Sequence, residues 1–195
     1  MDPTTTTALL DPVLSDLAVV VDGIPPSADR RPTPCTDLDV AALRHHVLSW
    51  LTVFADGYAD PDGRAPVGQE PADDRTGATV QDAARRLHDA VSGGAADRPL
   101  YLGESGMPGD MALSMILWEY LVHGWDLAVA TGQPWTPADD ACVAALDFAP
   151  GMLTPDYQGP GKTFGPRVPV PDDAPPLDRL LGLSGRDPGW RPAGG

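Results

Sequence analysis

Asparagine is absent from the 195 residues, lysine occurs once, at Lys162, and glutamate only at Glu70, Glu104 and Glu119. Basic residues number 13 against 28 acidic ones, which leaves a formal net charge of -15. There is no basic stripe interleaved with aromatics, so phosphate backbones are repelled over most of such a surface, and nucleic acid is excluded as a partner. Cysteine is scarce too. Cys35 and Cys142 form no C-x-x-C pair, which excludes a redox motif or a zinc knuckle, and both read as core thiols. No apolar run reaches the roughly 18 residues of a membrane span, and the N-terminus is acidic and Thr-rich rather than basic. The expectation is a cytoplasmic protein with no membrane partner, acting as a monomer or homodimer. The arginine-dominated basic set fits a GC-rich genome.

Hydrophobic residues make up 42% of the chain, enough for one domain over residues 1–195. Apolar positions at three- and four-residue spacing predict helix one over 8–22, stopped by Gly23 and Pro25-Pro26. Helix two follows at about 38–55, with Thr36 and Asp39 at the separation of a capping box. Residues 56–75 are rich in Gly, Pro, Asp and Ala and read as a mobile surface connection. Helix three begins near Thr79 or Asp82 and ends at Gly93-Gly94. Helix four, from about Met107 to Thr131, carries most of the bulky side chains and must be central. Thr136-Pro137 restarts the chain as cap and first-turn proline of a fifth helix to about Phe148. Beyond Pro150 the chain is Pro- and Gly-dense, so 150–195 is expected to lie as an irregular tail on the bundle, with a turn or two of helix around Leu177–Leu183. Period-two alternation is nowhere sustained, which predicts an all-α bundle. There is no internal repeat, Gly-rich phosphate loop or G-x-S-x-G elbow.

The four histidines are His45, His46, His88 and His123. On a helical wheel His46 falls roughly 85° from the apolar centre of helix two and His45 roughly 175°, so His46 borders the core and His45 faces water. His88 sits in R-R-L-H-D, a solvated face. On helix four, Glu119, His123 and Asp126 project from one strip about 60° wide, among residues that are otherwise apolar. A buried carboxylate needs a partner or a cation. Two readings are open. One is a buried Glu–His or Asp–Arg pair that ties helices together. The other joins His46 to Glu119 and His123 as a two-histidine, one-carboxylate site for a divalent metal, with open positions for substrate. Rotation of helix two would put His45 in the place of His46. Asp126 then orients a ligand histidine, faces substrate, or serves as a helix cap.

Residues 33–47, T-P-C-T-D-L-D-V-A-A-L-R-H-H-V, resemble the start of helix two in the DinB-like metalloprotein superfamily. Residues 119–133, E-Y-L-V-H-G-W-D-L-A-V-A-T-G-Q, are similar to the H-G-W-D-L-A block of the group containing the mycothiol-dependent maleylpyruvate isomerase N-terminal domain. The tail L-D-R-L-L-G-L-S-G-R-D-P-G-W, residues 177–190, resembles the close of a stand-alone actinobacterial branch of that group. The chain has Asp37 and Leu38 where that pattern usually has Gly and Trp, and no sterol-carrier-like second domain is expected within these residues.

The resemblance implies an up-down-down-up four-helix bundle with an extra C-terminal helix, and His46, Glu119 and His123 as metal ligands. The expected ion is zinc, with nickel, iron or manganese as alternatives. It also implies a small-molecule substrate and a mycothiol-like thiol as co-substrate, which a divalent metal turns into thiolate for S-transfer to, or isomerisation of, an electrophile. A thiol-independent tailoring enzyme or hydrolase, and a metal-dependent binder, are the other readings. Around the mouth, residues 56–75 and 150–176 offer Tyr58, Arg64, Tyr157, Lys162 and Arg167 as substrate contacts or as solvated loop residues.

Overall fold

The computed structural model describes residues 1–68, 76–162 and 164–192. In chain order the elements are α1 (Pro3–Asp22), α2 (Val40–Ala59), β1 (Arg64–Ala65), α3 (Gly77–Ser92), β2 (Leu100–Leu102), β3 (Ser105–Met107), α4 (Gly109–Thr131), α5 (Asp139–Met152) and α6 (Pro176–Leu183). The fold is predominantly helical. Helices α1 and α2 take opposite corners of a bundle, each packed on both α3 and α4, while α5 packs on α4 and α6 on α5.

Local chemistry sets the ends of these helices. Asp2 accepts a hydrogen bond from the Thr5 amide at 3.0 Å and Pro3 occupies the first turn, so α1 starts five residues before its apolar stripe. Asp39 caps α2 by accepting from the Ala42 amide at 2.9 Å. Thr36 lies outside the helix, so the expected capping box is a single aspartate cap. Asp22, the last residue of α1, accepts from the Gly77 amide at 2.7 Å and so ties the end of α1 to the start of α3. Helix α4 buries Leu113, Ile116, Leu117 and Leu121 at the centre of the core and ends at Gly132, whose φ of 75° is left-handed. Helix α5 starts at Asp139 after Ala138, two residues later than a Thr136 cap would place it.

One expectation is corrected and two are refined. The connection 56–75 is not a loose loop where it is described. Helix α2 runs on to Ala59 because Gly57 allows Leu100 and Ala65 to approach within 2.7 and 2.8 Å of where a Cβ would stand. Residues 69–75 lie outside the described residues. A small sheet of order β1-β2-β3 closes this end of the bundle, Arg64 and Ala65 pairing in parallel with Tyr101 and Leu102. Strands of two or three residues are too short for a period-two signal. Finally, α1 is long and apolar enough by length and composition to cross a membrane, with mean hydropathy 1.3 over a window that is 50% buried. Core packing of Leu10, Leu14 and Leu17 accounts for that apolarity.

Candidate metal centre

Helices α2 and α4 face each other across a cavity of about 760 Å³. His46, Trp50 and Phe54 line it from α2, and Met115, Glu119 and His123 from α4, each set at four-residue spacing on one helix face. The ligand-capable atoms of His46, Glu119 and His123 all lie within 4.8 Å of one another. The rings of His46 and His123 meet edge to face, 5.4 Å between centroids. His45 does not line the cavity; its Nε2 lies 3.5 Å from the Ser49 hydroxyl. His88 is exposed, as expected, with its Nδ1 2.8 Å from Asp11 Oδ2 across the α1–α3 contact.

The two nitrogens of His123 have separate partners. Nε2 is 3.3 Å from Glu119 Oε2, and Nδ1 is 3.0 Å from Asp126 Oδ2. The same Asp126 oxygen accepts from Arg186 Nη2 at 3.1 Å. Asp126 is fully buried, and its other oxygen, Oδ1, has no partner among the described residues. Burial disfavours a charge on His123, but hydrogen bonds to Asp126 and Glu119 outweigh it and lift the imidazole to about 9. Burial, then the neighbouring His123, lowers His46 from its ordinary value. Glu119 resists the upward pull of burial because His123, His46 and Arg186 hold its carboxyl below the usual range.

Without an ion, then, the two carboxylates of Glu119 and Asp126 are offset by the His123 imidazolium and the Arg186 guanidinium. A divalent cation fits the same place. Two imidazoles and one carboxylate are a donor set for zinc or its neighbours, the proton on His123 marks where positive charge is wanted, and the cavity leaves a side open.

Two pocket residues escaped the sequence reading. Cys35 is not a core thiol: it lines the cavity, with its sulfur within 4.8 Å of ligand-capable atoms of His123 and Asp126. Burial raises its pKa while Arg186 pulls it down. Cys142 is in the core as expected, its thiol pushed up to about 12 by burial. Arg186 comes from the tail, a segment with no periodicity to flag it. The only signal was the buried acid it answers, since Asp126 required a cation.

The proposed mouth residues divide. Lys162 lines the cavity, with Phe164 and Gly159 beside it from the tail. Tyr58 does not: it is buried, and its hydroxyl donates to the Gly109 carbonyl at 2.5 Å. Arg64 stacks on Tyr101, 5.3 Å from the ring centroid. Arg167 donates to Gln158 at 2.9 Å, and Tyr157 is exposed; none of these three lines the cavity. Residues 34–38, just before α2, take the place assigned to 56–75.

A helical bundle with a two-histidine, one-carboxylate cluster in its core belongs to the DinB-like class. Within it the chain belongs to the mycothiol maleylpyruvate isomerase N-terminal domain family, which residues 10–128 match. Two uncharacterized proteins of Mycobacterium tuberculosis, Rv0738 and MT0763, are each 32% identical over 162 residues, covering 80% of this chain and 83% of theirs. No solved structure matches the chain significantly. Membership carries a mycothiol-related, metal-binding association at the level of the family. The match includes His46, Glu119, His123 and Asp126 and stops before Lys162 and Arg186.

Proposed function

We propose that the chain is a divalent-metal-dependent enzyme. His46, Glu119 and His123 hold the ion, zinc by the donor set, and a low-molecular-weight thiol of mycothiol type attacks a small electrophile. The observation that carries this reading is the convergence of those three groups within 4.8 Å on a cavity. The family match supports the thiol. A divalent ion in this place supplies Lewis acidity, which makes thiolate available at neutral pH although a free thiol titrates at about 8.5.

The chain's own residues orient and enclose. Asp126 accepts from Nδ1 of His123 and leaves Nε2 for the ion, a fixed tautomer that also makes the imidazole a better donor. Arg186 holds Asp126 in that pose. Trp50, Phe54 and Leu102 keep water from the reacting sulfur. In S-transfer the thiol loses its proton to solvent, a carbon–sulfur bond forms at the electrophilic carbon as the C=C π bond or epoxide C–O bond breaks, and the resulting enolate or alkoxide takes a proton from solvent. In isomerisation addition gives an enolate, rotation about the new single bond follows, the carbon–sulfur bond breaks as the C=C bond re-forms, and the thiolate is regenerated.

A second reading keeps the ion and drops the thiol, giving a hydrolase or a natural-product tailoring enzyme; the largely apolar lining of the cavity favours it. The test is a matrix of metal against thiol with a panel of enones, epoxides and conjugated acids, read by loss of substrate. The proposal expects turnover only where metal and thiol are both present. Turnover without thiol moves the protein to the second reading. A protein that only binds shows neither dependence and is merely stabilised by its ligand.

A further inference from the structure

The candidate ligands occupy one stretch of the cavity, and an apolar slot leads away from them. On α2 the ring of His46 is 6.5 Å from that of Trp50, which is 5.5 Å from Phe54. At 1.5 Å per residue, Phe54 stands about 12 Å along the helix axis from His46. Met115 faces this ladder from α4, one turn before Glu119, and Leu102 of β2 completes the lining. None of these four slot residues is charged. Arg186 is committed to Asp126, and Lys162 lines the same cavity from the tail, where it is exposed to solvent.

We infer that this slot receives a flat, neutral, apolar group: one or two aromatic rings, or a conjugated acyl chain of similar size, carried by the substrate beyond its reacting head. The inference rests on the functional reading above only in making this group the body of the electrophile. A volume of about 760 Å³ suits a drug-sized molecule and is wasted on a four-carbon acid. A carboxylate placed between Trp50, Phe54 and Met115 loses its hydration and meets no counter-charge. An aromatic ring there gains burial and edge or offset contacts with Trp50 and Phe54. A short dicarboxylate therefore finds neither fill nor partner in the slot.

The experiment uses the full chain and N-phenyl-1-naphthylamine, a neutral two-part aromatic probe whose emission rises in apolar surroundings, in metal-free and zinc-loaded protein. Wild type is expected to bind the probe in both forms, and maleate at the same concentration is expected not to displace it. Trp50→Ala and Met115→Glu should each weaken binding about tenfold or more, the loss of a ring contact or the arrival of a buried charge. Val143→Glu, on an exposed position of α5, should leave binding unchanged. Thermal unfolding identifies variants that fail to fold, and Leu102→Asp on β2 takes the place of a helix variant that does. Absence of probe binding in wild type, or binding that survives every folded slot variant, overturns the inference. Probe binding without zinc binding removes the functional reading and leaves the slot standing; zinc binding without probe binding does the reverse.

Discussion

The guanidinium of Arg186 lies 3.1 Å from Oδ2 of Asp126, 60 positions earlier in the chain, and that oxygen is the one that meets His123. The C-terminal tail is thereby joined to the candidate metal centre through one buried charge pair. Trp118 strengthens the junction by donating its indole N–H to the Ser184 hydroxyl at 2.9 Å. Removing Arg186 leaves buried Asp126 with His123, an imidazolium it shares with Glu119, as its remaining partner, so Arg186→Gln should cost up to about 3 kcal/mol of stability. Arg186→Lys should recover part of it. Chemical denaturation measures both, and a loss below about 1 kcal/mol for Arg186→Gln would show that water or another group takes over the pairing.

Asp126→Asn tests orientation of the histidine rather than ligation. The protein should still take up stoichiometric metal, with affinity reduced about 10- to 100-fold in a chelator competition. Loss as complete as that of His123→Ala would make Asp126 a ligand itself.

Metal uptake should be coupled to protons. Burial works against the imidazolium, yet Asp126 and Glu119 hold His123 at about 9, whereas His46 is shifted down and is already neutral at pH 7.5. An ion must displace the His123 proton, so affinity should rise with pH until about 9 and about one proton should be released at pH 7.5. Titration calorimetry in buffers of different ionisation enthalpy counts it. In metal-free protein the raised His123 pKa contributes stability that is full below the unfolded value of about 6.5 and is lost as pH rises through about 9. The metal-free form should therefore lose stability across that window. An absence of proton release would contradict the charge balance described for the site.

The two cysteines should separate by reactivity. Cys35 lines the cavity and Cys142 is fully buried, so alkylation followed by mass spectrometry should modify Cys35 alone. Its raised pKa makes the reaction slow at pH 7 and faster toward alkaline pH. Equal labelling of both would mean that α5 opens readily.

Much of this was legible in periodicity. The strip Glu119, His123, Asp126 on an otherwise apolar α4 announced a buried polar cluster, and wheel arithmetic picked His46 over His45 as the residue on the cavity. Within H-G-W-D, however, Gly124 is a packing residue. A Cβ there would stand 2.3 Å from the Trp135 ring, whose N–H donates to the Leu121 carbonyl. What was not legible came from segments without a period. Arg186 and Cys35 reach the site from irregular chain, and β1 to β3 are too short to alternate. Gly57 fell within the Gly-rich connection 56–75 because its role, close approach of Leu100 and Ala65, is tertiary. Tyr58 looked like a surface aromatic for the same reason.

The central claim is that His46, Glu119 and His123 hold one divalent ion. Elemental analysis after zinc loading and gel filtration, on wild type and on His46→Ala, Glu119→Gln and His123→Ala, tests it most directly. The account predicts one zinc per chain in wild type and little or none in each variant, with His45→Ala retaining the full complement. Wild type without zinc, or variants that all retain it, would contradict the account and leave the cluster as a buried charge array that ties α2 to α4.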